Sequence, residues 1–510
     1  MSQITKLAGQ TAVYGLSSII GRLLNYLLVP LYTRIFNNWE YGVVTELYTY
    51  VVFLMVILTY GLETGYFRFS NSEKDKDFVF GTITIFLFVS SLIFIAFSAL
   101  NAESIASYLG YYDNPEYVIM FGLIIGLDAF LTIPFARLRQ QNKALKFAIY
   151  KLLNILVNIV LNLTFLVYFP YLHKAGGTVI SDIFYNQDIG VGYVFISNLV
   201  ATAVSFLLFI PDYFKTRLKF SFAMLKNILF YSLPLVISGL AGMINEFFDR
   251  LAIKWWTTIP VGVVDGQKFW LGELGIYGAN TKITIIIVLF VQMFRYAADP
   301  FFFSNAQKPD FSELYSKVTK YFFIVGIALL LFTLLYLDIF KHIIGSDYFE
   351  GLKVVPLLLL GRFIVGIMYI LSFWYKLDKK TIYGIYIFLI GAVLTIFVNY
   401  LTVPLYGYYG CALSNFVSYI VMLLITYFWG RKHFNFNLDF KSVLLYSTIT
   451  LVLYFAHKLI HLEPILLKLT VSTTFFLVFA FIVYKRENGR TLIKLALTSI
   501  KNRFYGNKNS

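Results

Sequence analysis

Along the 510 residues, stretch after stretch of about twenty residues passes with almost no charge, the length at which an α-helix spans a bilayer's hydrocarbon core. Lipid offers no water to satisfy backbone N–H and C=O groups, so only helices and closed barrels cross it. The stretches are continuously apolar and do not alternate, which selects helices over a barrel. Composition agrees: 59% of residues are hydrophobic and 14% are charged, whereas a soluble domain carries about 25% charged residues to coat its surface.

About fourteen spans are predicted, near 8–34, 41–67, 78–100, 116–138, 144–169, 190–211, 224–248, 272–297, 318–338, 350–375, 382–400, 407–429, 441–460 and 465–484. The first is too long for the apolar core of a signal peptide and reads as an uncleaved helix. Alternate loops are basic. One carries Arg137, Arg139, Lys143, Lys146 and Lys151, another Lys215, Arg217, Lys219 and Lys226, and the tail from Lys485 carries seven more cations. The opposite loops are poor in them, and Asn101 to Glu116 and Leu401 to Gly407 have none. About 29 of the 42 basic residues fall on one side and about 9 on the other, the bias that retains Lys and Arg in the cytoplasm. Both termini are therefore expected to be cytoplasmic. The same bias accounts for the net charge of +15 without nucleic acid. The connections are too short to fold alone, so function must lie among the helices.

The second six spans echo the first six. Asn38-Trp39-Glu40-Tyr41-Gly42 opens the second span and Leu274-Gly275-Ile276-Tyr277-Gly278 the eighth. Arg139 and Lys143 match Lys376 and Lys380, Asn162 matches Asn399, and Ser197-Asn198 match Ser414-Asn415. The shared order indicates a duplication. The expected architecture is an all-α polytopic membrane protein: an N-lobe over 1–220, a C-lobe over 221–432, and two extra helices with a basic tail over 433–510. An even number of spans per repeat gives both lobes one orientation, related by a pseudo-two-fold axis along the membrane normal. In parallel-repeat transporters the substrate site lies between such halves.

Charges within spans are costly and usually face a cavity or a partner. Arg22, Glu46, Asp128, Lys282, Arg295 and Arg362 are the candidate cavity residues, and Glu46, Glu63 and Asp128 the candidate carboxylates for an exchanging H+ or Na+. Asp128, Thr132, Phe135 and Arg139 share one helix face, and Arg362, Gly366, Tyr369 and Phe373 repeat that spacing in the equivalent span. Aligning Gly42 with Gly278 sets Glu46 opposite Lys282. The competing reading is that these charges are structural ion pairs, with Glu63 and Arg295 snorkelling at the inner boundary and Arg34 and Arg250 at the outer one. A surplus of deep cations suits an anion, and Arg suits phosphate through its planar donor fork.

Other chemistry finds little footing. Cys411 is the single cysteine, so no disulfide or cysteine metal site forms within one chain. The five histidines make no HExxH pattern, and His457 with His461 sits at a span end. There is no Walker A sequence. Asn162-Leu163-Thr164 fits a glycosylation triplet but falls inside a span.

Thr33-Arg34-Ile35-Phe36, then Trp39-Glu40-Tyr41-Gly42, then Tyr60-Gly61-Leu62-Glu63-Thr64-Gly65-Tyr66-Phe67-Arg68 resemble the N-terminal region of the polysaccharide-transporter (Wzx-like) flippases of the MOP superfamily, as does Arg139-Gln140-Gln141-Asn142-Lys143. In layout the resemblance covers the whole chain, most clearly the first 220 residues. It implies a non-enzymatic transporter in the bacterial inner membrane that moves undecaprenyl-pyrophosphate-linked glycan to the periplasmic leaflet by ion-driven alternating access, alongside a polymerase and export machinery. Arg22 would be a head-group ligand, although Gly21-Arg22-Leu23-Leu24-Asn25 lacks the Arg-Asp pair expected of lipid II flippases. The two extra helices would form a groove for the lipid tail, by analogy with those flippases. The alternatives are a MATE-type drug exporter, which would favour an acidic cavity, a membrane-embedded polymerase or ligase, which would carry a large external loop, and a membrane scaffold.

Overall fold

The computed structural model describes residues 19–72, 76–176, 183–216, 218–378, 380–434, 436, 438–460 and 464–487. Among them every regular element is helical, and thirteen helices are long and apolar enough to cross a membrane. Helical residues 19–26, running into α1 (Leu28–Ile35), supply the end of the first expected span, whose start lies outside the described residues. The protein is thus a multi-pass membrane protein of the expected all-α class.

The chain packs as two units. The first comprises Met1–Lys282, Ile343–Leu357 and Thr381–Met422. It holds α1, α2 (Asn38–Leu58), α3 (Leu62–Ser72), α4 (Lys76–Leu100), α5 (Ala102–Leu109), α6 (Pro115–Gln140) and α7 (Ala144–Leu163). A π-helical turn, Thr164–Tyr168, leads from α7 into α8 (Phe169–Lys174). Then come α9 (Gly192–Phe214), α10 (Phe222–Trp256) and α11 (Gly266–Lys282). Its core includes Leu62, Tyr66, Phe80, Ile83, Leu87, Phe130 and Ile133, an apolar set joining α3, α4 and α6.

Two matched sequence motifs pack against each other here. The α2 helix starts in a capping box: the Asn37 side chain accepts the Glu40 N–H, and Glu40 accepts the Asn37 N–H, both at 3.0 Å. Its first turns lie flush on α11. A Cβ on Gly42 would collide with the Leu271 carbonyl, and one on Gly275 with the Asn38 carbonyl. Glycine permits this backbone approach, as at close helix contacts in membranes. The 3-10 segment Ser346–Val354 seals the junction. The buried Tyr348 hydroxyl donates to the carbonyls of Phe36 and Asn37 at 2.9 Å each, and the Gly345 N–H donates to Thr33 Oγ1 at 3.0 Å.

The second unit comprises Ile283–His342, Leu358–Lys380 and Leu423–Ser510. It contains α12 (Ile285–Asn305), α13 (Phe311–Leu335), most of α14 (Val355–Leu371) and α15 (Phe373–Leu377). After α16 (Ile382–Tyr406), which packs in the first unit, α17 (Tyr408–Arg431) ends in the second, followed by α18 (Phe440–Leu459) and α19 (Ile465–Arg486). Both last helices pack on α13. Lys320 of α13 ties them with ion pairs to Asp439 (3.1 Å) and Glu487 (2.8 Å).

The eighth span, expected as one run over 272–297, is broken: α11 stops at Lys282 and α12 starts at Ile285. Thr281 and Thr284 flank the break, and Thr281 Oγ1 donates to the Gly278 carbonyl at 2.7 Å, a local bond that competes with the helical ladder. The expected lobes at 1–220, 221–432 and 433–510 follow repeat order along the chain, whereas the two units follow packing, so that division stays a proposal.

Candidate functional site

The charged spans resolve into four groups. The deepest centres on Glu46, which is 1% exposed. Its Oε1 accepts from Lys254 Nζ at 2.6 Å and from the Tyr50 hydroxyl at 2.9 Å, and its Oε2 accepts from the Tyr111 hydroxyl. Lys254 also donates to the Leu109 carbonyl at 2.9 Å and lies 5.1 Å from the Trp270 ring centre. Three donors and a full counter-charge are what a buried carboxylate requires. The arrangement fastens α2 to α10 and to the turn after α5.

Beside it on α10, Asp249 is buried, with Oδ1 accepting the Arg250 N–H at 2.8 Å and Arg250 Nη1 at 3.3 Å. Its Oδ2 accepts from the Tyr277 hydroxyl and, at 2.8 Å, from Asn415 Nδ2. The Cys411 thiol donates to the Asp249 carbonyl at 3.2 Å. Arg250, expected at the outer interface, is buried in this network.

The third group lines α2, α3, α6, α7 and α9. Glu63 pairs with Arg139, whose guanidinium lies 5.2 Å from the Phe67 ring centre. One face of α6 carries Asp128, which accepts from Thr202 Oγ1 at 3.2 Å. Lys151, on α7, interacts electrostatically with Asp128 and sits 4.1 Å from the Phe135 ring centre. Tyr48 accepts from Asn198 Nδ2 at 2.8 Å.

The fourth group lies in the second unit, between α12, α14 and α15. The Tyr369 hydroxyl donates to Asp299 Oδ1 at 2.5 Å. Arg295 lies 4.9 Å from the Tyr369 ring centre, and Lys376 Nζ lies 4.1 Å from it and 4.8 Å from that of Phe373. Two cations and one carboxylate thus share one aromatic ring. Both cation–π contacts gain strength where water is excluded. Arg295 is exposed and Lys376 half-buried, so the cluster has an open side.

The remaining candidates stand elsewhere. Arg22 is exposed on the helix 19–26, Lys282 lies 5.7 Å from the Tyr26 ring centre, and Arg362 is half-buried on α14. Of the expected set, Glu63 and Asp128 lie in one group. Glu46 meets Lys254, a residue that nothing in the sequence pattern marks. Asp299 was also missed, and it had a signal: at the offset that matches Gly42 to Gly278, Asp299 falls opposite Glu63, and Lys376 falls one residue past the position opposite Arg139. Among the described residues no group of His, Cys, Asp and Glu could hold a metal ion.

The family model for "Polysaccharide biosynthesis protein" matches residues 7–306. Among curated proteins none matches the chain. Among solved structures it is similar to "Lipid II flippase MurJ, inward closed conformation", at 16% identity, TM-score 0.67, with 93% of this chain and 99% of that one covered. It is also similar to an outward-facing multidrug resistance MATE family transporter of the MOP superfamily, at 15% identity, TM-score 0.57, covering 83% and 95%. At these identities the likeness is one of fold.

Proposed function

The chain belongs to the polysaccharide biosynthesis protein family, and we propose that it flips undecaprenyl-pyrophosphate-linked glycan from the cytoplasmic to the outer leaflet of the bacterial inner membrane. The reading rests chiefly on the Arg295–Tyr369–Lys376 cluster, where two cations outnumber the single Asp299 carboxylate. Such a surplus suits a pyrophosphate and disfavours the cationic cargo of a drug exporter. Arg22, Lys282 and Arg362 are proposed as further contacts along the path. The role is transport, with no catalytic step, and polymerase and export machinery are its expected partners.

In this reading the α2–α11 crossing and the Glu46–Lys254 pair hold the outer ends of the two repeats together, and cargo is loaded from the cytoplasm, where both termini lie. Release then requires these contacts to part. Glu46 has three donors and serves the latch. Asp128, with Thr202 as its hydrogen-bond donor and Lys151 nearby, is the carboxylate proposed to exchange H+ or Na+.

The test is leaflet-resolved transport. Purified protein is reconstituted into vesicles with a labelled undecaprenyl-pyrophosphate oligosaccharide, and exposure to an external glycosidase is followed under imposed H+ and Na+ gradients. Protein-dependent exposure that responds to one gradient is expected, and Asp128→Asn removes the gradient response. No exposure with several glycans, together with gradient-driven efflux of a small organic cation, overturns the reading in favour of drug export.

A further inference from the structure

Sharing no residue with the four charged groups, α1 and the α7–α8 segment flank an open cavity of about 370 Å³. Its walls are Pro30, Leu31, Ile35, Leu166, Val167, Pro170 and Tyr171, and two cations, Arg34 and Lys174, complete the lining. The local backbone explains the space. The Thr164–Tyr168 segment winds as a π-helix, and the Phe169 N–H reaches back to the Thr164 carbonyl. Such a turn widens the helix and often marks a functional place. Pro170 follows with no N–H to donate, and Pro30 does the same on the facing helix. The cations are displayed, not buried: Arg34 and Lys174 are both exposed, and Arg34 is steadied by a 2.8 Å bond from Nη1 to the Pro30 carbonyl. Tyr168 and Tyr171 stand exposed beside them, as aromatic residues do at the level of lipid head groups.

An apolar trough with a cationic rim at that level matches one chemistry. We propose that this cavity binds an anionic phospholipid, its phosphate held between Arg34 and Lys174 and part of an acyl chain laid along Leu31, Ile35, Leu166 and Val167. Basic pockets between membrane helices select anionic head groups in this way, and the apolar walls favour a lipid over a free phosphate. With the topology proposed above the lipid belongs to the outer leaflet. The site is independent of the cargo, so its failure leaves the flippase reading standing, and the converse holds.

The experiment is native mass spectrometry of the full chain released from nanodiscs of phosphatidylglycerol and phosphatidylcholine. The variants are Arg34→Ala/Lys174→Ala, Val167→Trp to fill the trough, and Lys485→Ala/Arg486→Ala as a control at the other end of the chain's topology. Gel filtration confirms that each remains folded. Retained phosphatidylglycerol is expected to fall roughly tenfold in the double cation variant, to fall also in Val167→Trp, and to stay unchanged in the control. Retention at the wild-type level in the cation variant, or undiminished retention in Val167→Trp, overturns the site. Displacement by added undecaprenyl phosphate at concentrations where phosphatidylglycerol does not compete overturns the choice of occupant.

Discussion

Lys254 on α10 places its ammonium 2.6 Å from the carboxylate of Glu46 on α2, 208 residues away in sequence. The acid is 1% exposed and the lysine side chain 15%. A buried pair of this kind adds little over an apolar substitute, yet breaking it from one side is costly. Lys254→Met leaves the carboxylate with only the Tyr50 and Tyr111 hydroxyls. It is expected to destabilise the protein by about 3 kcal/mol, read as a lowered midpoint in thermal unfolding in detergent. Glu46→Gln/Lys254→Met should recover most of that loss, since no bare charge remains. A double variant as unstable as the sum of the singles would show that the pair does not act as a unit.

The glycine crossing offers a second test with an internal control. On α11, a Cβ on Gly275 would meet the Asn38 carbonyl, whereas one on Gly272 would enter open space. Gly275→Ala and Gly42→Ala must push α2 and α11 apart, and a loss of about 1–3 kcal/mol is expected for overpacking. Gly272→Ala gains helix propensity and should be neutral or stabilising by up to about 1 kcal/mol. Equal melting temperatures for Gly272→Ala and Gly275→Ala would show that the crossing does not depend on the glycine.

These two sites also mark what could be read in advance. The bilayer forces long apolar runs and sorts basic loops, so the helical class and the crossings were legible. The glycine motifs were visible as a repeat, and the structure adds that the two copies, around Gly42 and Gly275, pack on each other. The break at Ile283–Thr284 was hidden because hydropathy is continuous across it. The partner of Glu46 was hidden for a different reason. Aligning the repeats pairs equivalent positions, Glu46 with Lys282, but contact depends on how helices cross, and the crossing brings Lys254 to the acid. Asp299 was within reach of the alignment through Glu63 and was overlooked because it lies near a span end.

Asp439 gives a pH prediction outside the membrane spans. Its carboxyl is lowered to about 2, first by the hydrogen bond from the Ser442 hydroxyl (2.7 Å); burial opposes this, and the Ser442 N–H (3.1 Å) and Lys320 add to the lowering. A depressed carboxyl contributes stability that is present above its unfolded value, near 4, and is lost as pH falls toward about 2. Asp439→Asn should therefore melt below the wild type at neutral pH. The gap should close as pH drops through about 4 to 2. The check is thermal unfolding of both proteins across that range, and a gap that persists unchanged at low pH would assign the loss to packing.

The two repeats use equivalent positions differently, and this decides where a phosphate would be felt. In the first, Glu63 is paired with Arg139, acid to base. In the second, Asp299 takes its hydrogen bond from Tyr369, while Arg295 and Lys376 lie over that ring. Lys376→Ala and Arg295→Ala are thus expected to raise the half-saturating concentration of the pyrophosphate-linked substrate by roughly 10- to 100-fold, the worth of a charged hydrogen bond. Their melting temperatures should change little, because each substitution removes only a cation from the open side of an aromatic ring. Lys376→Arg should restore most of the affinity. Arg139→Ala should instead lower the melting temperature by stranding Glu63. Measuring both quantities for all four variants separates the readings: if Lys376→Ala loses stability in step with transport and Lys376→Arg restores neither, the second cluster is a structural brace like the first, and the pyrophosphate contact must be sought among Arg22, Lys282 and Arg362.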